Sequence, residues 1–484
     1  MISRRGGIRK PDGILKFACG HPGSLEAPGP RAAGLTRSPP MWYKPTMHEL
    51  LGSLAGSALL RTLGAFALML LLARLKLPLA AGIMIGTVVL AAAFALGPGR
   101  IALSFLEGAI HPRTVSLVII TAMILALSEV MRGGGQFDRI MALASTMLRR
   151  PLVAMAALPA LIGLLPMPGG ALFSAPMVDS AARGGNLSGG MLSAINYWYR
   201  HIWEHWWPIY PGVITTLVLT GSGLGKFIAC QLPLGIIMTA AGLWIFRGVR
   251  GYSGGPVAHP ASGSKWRLLS ITSSIWLIVV VYAPAAWLVK ALPLGSLPYP
   301  ELIQQTLPLA LGLLVSLAWT CRLNKLGAAA VGKALLDAST LRIIVLVIGV
   351  MVFQHVLGKV DAAPQIAGEL NGLRVPPVVV VAVLPFVAGM VTGLAIGFVG
   401  VSFPIVLGLV ESIPDHGSIR PFVALAYAFG HLGQMLSPMH LCQVLSNQYF
   451  GTGFGPLYRR IAAPAALTAL GAVGYFILLG LILG

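Results

Sequence analysis

Four apolar stretches of this chain carry proline or glycine at their centres, and that constrains the fold more than any other feature. A bilayer core offers no water to a freed backbone N–H or C=O, and each unpaired group costs several kcal/mol. Breaks at membrane depth therefore persist only where protein, water or a ligand satisfies them. "PLVAMAALPALIGLLPMPGGALFSAPMVDSAA" (151–182) and "PPVVVVAVLPFVAGMVTGLAIGFVGVSFPIVLGLV" (376–410) read as helical hairpins that enter the membrane, turn at depth and leave on the same side. Segments 191–222 and 421–450 hold Pro208 with Pro211, and Pro438, near their middles, and read as spanning helices broken at mid-membrane.

The rest of the chain supports a membrane setting. Of 484 residues, 56% are hydrophobic and only 10% charged, a balance that a water-facing surface does not carry. Against the roughly 20 residues needed to cross a bilayer, uninterrupted runs lie at about 54–74, 77–97, 114–131, 226–246, 268–291, 301–320, 339–358 and 460–483. The expectation is an all-α membrane protein of about ten transmembrane helices plus two re-entrant hairpins. A net charge of +20 would point to nucleic acid in a soluble protein. Here the basic residues stand in short loops and no basic face is interleaved with exposed aromatics, so no nucleic-acid partner is expected. The four cysteines, at unrelated spacings, specify neither a disulfide framework nor a metal cluster.

The chain is an internal duplication. Tyr197-x3-His201-x2-Glu204-x3-Pro208 recurs as Tyr427-x3-His431-x2-Gln434-x3-Pro438, and Gly169-x4-Ser174-x-Pro176 recurs as Gly397-x4-Ser402-x-Pro404. The hairpins admit a second register, with Gly169-x-Ala171 laid on Gly393-x-Ala395. The boundaries follow: a Gly, Pro and Arg-rich disordered tail over 1–46, a first repeat over 47–250, a cytoplasmic linker over 251–267 and a second repeat over 268–484. Met41 and Met47 each stand just before the first apolar run, so a start at one of them is a candidate reading of the tail. Five crossings per repeat make the halves inverted. Loops carrying Arg74, Lys76, Arg132, Arg139, Arg149 and Arg150 outweigh those carrying Arg100, Arg113, Lys226, Lys290 and Lys359, which places the first set in the cytoplasm of a multi-pass inner (cytoplasmic) membrane protein.

"NYWYRHIWEHWWPIYP" contains His201-x-x-Glu204-His205, a spacing used by one class of zinc peptidases. A zinc hydrolase also needs a further protein ligand and room for a metal-bound water. The second copy offers His431, Gln434 and Met435 at these places, so the frame reads as architecture, and no metal or catalytic role is assigned. A membrane-embedded metallohydrolase using His201, Glu204 and His205 stands as the alternative, with a passive anion channel behind it.

Where the interruptions meet at the midplane, a solute site is expected. The free N–H groups and dipole of a half-helix N-terminus favour an anion. "QMLSPMHLC" reads as such a start, with Ser437 as cap, Pro438 at the first helical position and His440 one turn in. The hairpin tips at Pro168, Gly169, Gly170 and at Thr392, Gly393, with Ser174 and Ser402 behind them, complete the expected solute contacts. Asn196, His201, Glu204, His431 and Gln434 are the polar groups at depth, in a coupling or structural role.

At these residues "LLPMPGGALFSAP", "NYWYRHIWEHWWPIYPGVI" and "SPMHLC" resemble the signature stretches of a bacterial and archaeal family of uncharacterised ten-span membrane proteins. That family is grouped with the ion transporter superfamily, whose relatives carry dicarboxylates, citrate, gluconate and arsenite. The resemblance covers roughly residues 55 to 484 and implies an elevator-type carrier. In place of the dicarboxylate carriers' Ser-Asn-Thr hairpin tips this chain has Met-Pro-Gly-Gly and Val-Thr-Gly-Leu. The expected function is secondary active transport of a small anion, an organic acid, coupled to sodium or protons. It needs no cofactor beyond sodium as a candidate coupling ion, and a homodimer is a candidate assembly.

Overall fold

The structure is a computed structural model that describes residues 56–483 apart from positions 149, 165, 168, 184, 248, 250–264, 295–297 and 414–416. The tail expected over 1–46, most of the linker and Pro168 lie outside the described residues.

The first half runs α1 (Ala58–Arg74), α2 (Leu79–Ala93), α3 (Pro98–Ile110), α4 (Pro112–Gly133), α5 (Gln136–Met147), α6 (Pro151–Gly163), α7 (Ala171–Ala181), α8 (Gly189–Arg200), α9 (Pro211–Thr220) and α10 (Leu224–Gly242). The second runs α11 (Lys265–Ile271), α12 (Ser273–Ala291), α13 (Pro300–Leu323), α14 (Ala328–Leu335), α15 (Ala338–Lys359), α16 (Ala362–Gly372), α17 (Pro377–Thr392), α18 (Ala395–Glu411), α19 (Arg420–Met435), α20 (Leu441–Tyr449) and α21 (Phe454–Leu483). Proline opens α3, α4, α6, α9, α13 and α17, where its missing N–H would have had no intrahelical partner. Ser188 caps α8 by accepting the Met191 N–H at 3.4 Å, and Asp337 caps α15 by accepting the Ser339 N–H at 2.9 Å.

Helices α4, α12, α13, α15, α21 and α10 with its following 3-10 turn are long and apolar enough to cross a bilayer. Helices α1, α2, α6, α9, α17 and α18 are apolar but shorter. Large apolar side chains stand on the outside, including Leu481 (81% exposed), Trp287 (75%) and Leu470 (70%), a surface suited to lipid and not to water. The chain is an all-α, multi-pass membrane protein.

The packing pattern repeats when the halves are exchanged. Helix α3 packs on α15 as α14 packs on α4, α6 on α8 as α17 on α19, and α8 on α21 as α19 on α10. The second arm of each hairpin crosses over: α7 lies against α20 and α18 against α9, so each half closes the other's broken helix. Helices α3, α5, α14 and α16 stand between the expected spans. They are short and mixed in polarity, which is why apolar run length does not reveal them. Glycine makes the tightest crossings. A Cβ on Gly163 would fall 2.0 Å from the Arg200 carbonyl oxygen, and one on Gly389 2.1 Å from that of Gly430, in corresponding pairs of elements.

At the hairpin tips the second register holds. Gly169 and Gly393 both take left-handed backbone (φ 72° and 62°), open to glycine without strain, and the second arms start at Ala171 and Ala395. Gly397 therefore lies inside α18, and Ser174 and Ser402 fall at different depths of their arms. The pairing of Gly169 with Gly397 is corrected accordingly.

Candidate functional site

Both tips and both breaks face one shared space. A cavity of about 160 Å³ is bounded by Pro166, Met167 and Gly169 of the first tip and by Leu394, Ala395 and Ile396 of the second. Glu204, Tyr210, Pro211 and Gly212 of the first break, and Gln434, His440, Leu441 and Cys442 of the second, complete it, with Arg200 at its polar end and Leu125, Ile343 and Leu346 along its apolar wall.

The half-helices that reach this space start at equivalent positions. Helix α9 opens at Pro211 after Tyr210, and α20 opens at Leu441 after His440. The start expected at Ser437 and Pro438 is thus corrected by three residues. Ser437 Oγ accepts the Met439 N–H at 3.2 Å and folds a local turn, which leaves Pro438 exposed and delays the helix.

Arg200 dominates the polar end. It is the last residue of α8 and is 2% exposed, with Nη2 donating to the Met167 carbonyl at 2.8 Å and Nη1 lying 3.3 Å from His201 Nε2. Its Nε is buried with no hydrogen-bond partner among the described residues. The guanidinium passes over Gly170, where a Cβ would meet Nη2 at 2.3 Å, so Arg200 straps the first tip to the break. Arginine in an apolar span is a signal by itself. In the sequence that signal is obscured by the adjacent His-x-x-Glu-His spacing.

His201 Nδ1 lies 2.6 Å from the Tyr197 carbonyl, which only accepts, so that nitrogen carries the hydrogen and Nε2 presents its lone pair. His201 Nε2 stands 3.1 Å from His440 Nε2. Glu204 accepts from Gln434 Nε2 at 2.7 Å, with His431 Nε2 at 3.6 Å and His201 Nε2 at 3.8 Å. The Tyr427 hydroxyl donates to the Glu204 carbonyl at 2.9 Å and the Tyr197 hydroxyl to the Met435 carbonyl at 3.0 Å, so the two repeats exchange a tyrosine at each break.

The His-x-x-Glu-His spacing does not assemble one centre. The helix ends at His201 and residues 201–206 run as turns, so the single face that the spacing presumes is lost. The His205 ring lies 4.4 Å from that of His431, with both its nitrogens unpaired. Among the described residues, the side chains close enough together to share an ion are His201, His440 and Cys442. Cys442 was not anticipated, since its neighbour His201 lies in the other repeat.

The remaining expected contacts divide. Gly169 and His440 line the cavity, and Gly170 lies beside Arg200. Gly393 meets the second break, where a Cβ would be 3.0 Å from the His440 nitrogen and 3.1 Å from Ser437 Oγ. Thr392 and Ser402 donate within their own helices, to Ala388 and Phe398. Ser174 donates to Asn196 Oδ1 at 2.6 Å, and Asn196 donates on to the Ala171 carbonyl and to Ser446, in a network behind the cavity.

Outside the cavity a vestibule of about 380 Å³ is lined by Glu129, Arg132, Asp337, Ser339 and Arg342, among others, and shares Leu125, Pro166 and Met167 with the inner space. Asp337 is held below the usual carboxylate range by hydrogen bonds from the Ser339 side chain and backbone.

No curated protein matches the sequence. The structure of Neisseria gonorrhoeae MtrF, described with a class of antimetabolite efflux pumps, is similar over 80% of this chain and 85% of its own, at 12% identity and a TM-score of 0.50. The Alcanivorax borkumensis YdaH transporter, described as having an unusual topology, aligns over 79% and 86% at 16% identity and a TM-score of 0.46. The likeness to MtrF is one of fold. Matched over residues 55–253 and 301–479, the chain belongs to the DUF401 family, described as a protein of unknown function.

Proposed function

We propose that this chain is a secondary active transporter of a small organic anion across the cytoplasmic membrane, coupled to sodium or protons, in the manner of the ion transporter superfamily. One observation carries the reading: the buried Arg200 guanidinium, among the described residues hydrogen-bonded to no carboxylate and with Nε unpaired, borders the cavity where both hairpin tips and both helix breaks converge. A buried cation without a bonded counter-ion is costly, and an anionic ligand offsets that cost. The N-termini of α9 and α20 add their dipoles at the same place. Glu204 lines the same cavity, so an arriving anion brings a second negative charge beside Arg200, and a co-bound sodium ion or a proton on the His201 and His440 pair offsets it. That requirement is the physical basis of coupling.

The vestibule beside Arg132 lies on the side that loop charges assign to the cytoplasm, with Met167 between it and the inner cavity. Movement of the tips and broken helices together, elevator fashion, would carry the cavity to the other side. MtrF belongs to a class of efflux pumps, which agrees with transport as the use of such a fold.

Proteoliposomes test this. Uptake of a labelled organic anion should follow an imposed sodium or proton gradient, stop when that gradient is collapsed, and be lost in Arg200→Gln. Uptake that persists without any gradient would mark a passive channel.

A further inference from the structure

We infer that His201, His440 and Cys442 form a binding site for one soft monovalent cation of the Cu(I) or Ag(I) kind, at the junction of the two helix breaks. The two imidazole nitrogens and the thiol sulfur lie within 4.8 Å of one another, and all three residues are buried. Imidazole and thiolate are the donors that soft cations prefer. With bonds no shorter than the roughly 2.0 Å to nitrogen and 2.3 Å to sulfur that zinc makes, three donors in a plane around one ion stand about 3.5–3.7 Å apart. The imidazole pair, at 3.1 Å, opens by a few tenths of an ångström and the sulfur closes in to reach that spacing.

The orientation of His201 supports the assignment. Its Nδ1 hydrogen is committed to the Tyr197 carbonyl at 2.6 Å, the outer contact that metal-binding histidines use to aim the other nitrogen. With the His201 lone pair bare, His440 Nε2 must supply the hydrogen in their contact, and His440 Nδ1 is left buried without a partner. That contact holds His440 in the tautomer that closes the site, and a bound cation takes its place.

Charge selects the monovalent ion. Binding turns Cys442–SH plus M⁺ into Cys442–S–M plus H⁺, with the proton leaving through the cavity to water. The thiolate then balances M⁺, so binding adds no net charge beside Arg200 and Glu204. A divalent ion would leave a net buried positive charge. The cation also takes the His201 lone pair that Arg200 Nη1 now approaches at 3.3 Å, which frees that N–H toward the cavity. The site stands on its own donors and does not depend on the transport reading.

The test uses the full chain in detergent with Cys19, Cys230 and Cys321 replaced by Ser, so that Cys442 is the sole thiol. Silver(I) is added, excess is removed, and retained metal is counted and examined by X-ray absorption. The expected result is one silver per chain with two nitrogen neighbours and one sulfur, affinity reduced roughly tenfold or more in His440→Gln, and zinc(II) not retained under the same conditions. Silver held by sulfur alone and indifferent to His440→Gln, or zinc retained in preference, overturns the proposal. Anion-induced stabilisation is scored separately, so each claim fails by itself.

Discussion

Gln434 donates its side-chain amide to Glu204 Oε2 at 2.7 Å, and the two residues hold equivalent places in the two repeats, 230 positions apart. Equivalent residues touch only where the pseudo-two-fold axis passes between them, so this bond marks the centre of the molecule. The duplication has also diverged there: one copy keeps a carboxylate and the other its neutral isostere, which lets the pair bond without two charges meeting.

Replacing Gln434 by Leu keeps the bulk and removes the donor. A buried carboxylate that loses a hydrogen bond is destabilised by roughly 1–3 kcal/mol, so the melting temperature in detergent should fall while the protein still folds. An unchanged melting temperature would show that the axis bond contributes nothing.

Gly163→Ala and Gly389→Ala should abolish folding, because each Cβ would meet a backbone carbonyl that cannot move away, at 2.0 and 2.1 Å. Gly474→Ala, with nothing within 4 Å of its Cβ, is the matched helical control and should express normally. Monodisperse yield on gel filtration reads the contrast.

Gly170→Ala should behave differently from both. Its Cβ meets the far end of the Arg200 side chain at 2.3 Å, and a flexible guanidinium can swing aside. Expression should survive, and stabilisation by organic anions should be lost as Arg200 leaves its place.

The architecture was legible in sequence wherever an interruption had a chemical mark. Pro and Gly inside apolar runs located the hairpins and the broken helices, and Tyr197, His201 and Pro208 found their echoes at Tyr427, His431 and Pro438. The site was legible only in part. That His201 meets His440 and Cys442 depends on how two breaks fold toward one axis, which spacing within one segment does not encode. The His-x-x-Glu-His pattern misleads for the same reason, since its reading assumes a helix that ends at His201.

Glu369 on α16 accepts from Ser57 Oγ and the Ala58 N–H at 2.6 Å and from the Leu59 N–H at 2.9 Å, which ties α16 to the start of α1. Partial burial works to raise its carboxyl pKa, and these hydrogen bonds outweigh it, so the group titrates below the usual carboxylate range. A depressed native pKa gives stability that is full above the unfolded-state value and is lost as pH falls through the native one. Glu369→Gln should therefore lower the melting temperature at pH 7, and the difference from the native protein should shrink as the pH falls through the acid range. A difference independent of pH would contradict this.

Arg200 is proposed to anchor an anion between the two hairpin tips, and ligand-induced thermal stabilisation of purified protein by a panel of organic anions tests this directly. At least one anion should raise the melting temperature of the native chain in a concentration-dependent way, Arg200→Gln should fold but show no shift, and Arg200→Lys should recover part of it. Full stabilisation of Arg200→Gln by the same anion would contradict the account.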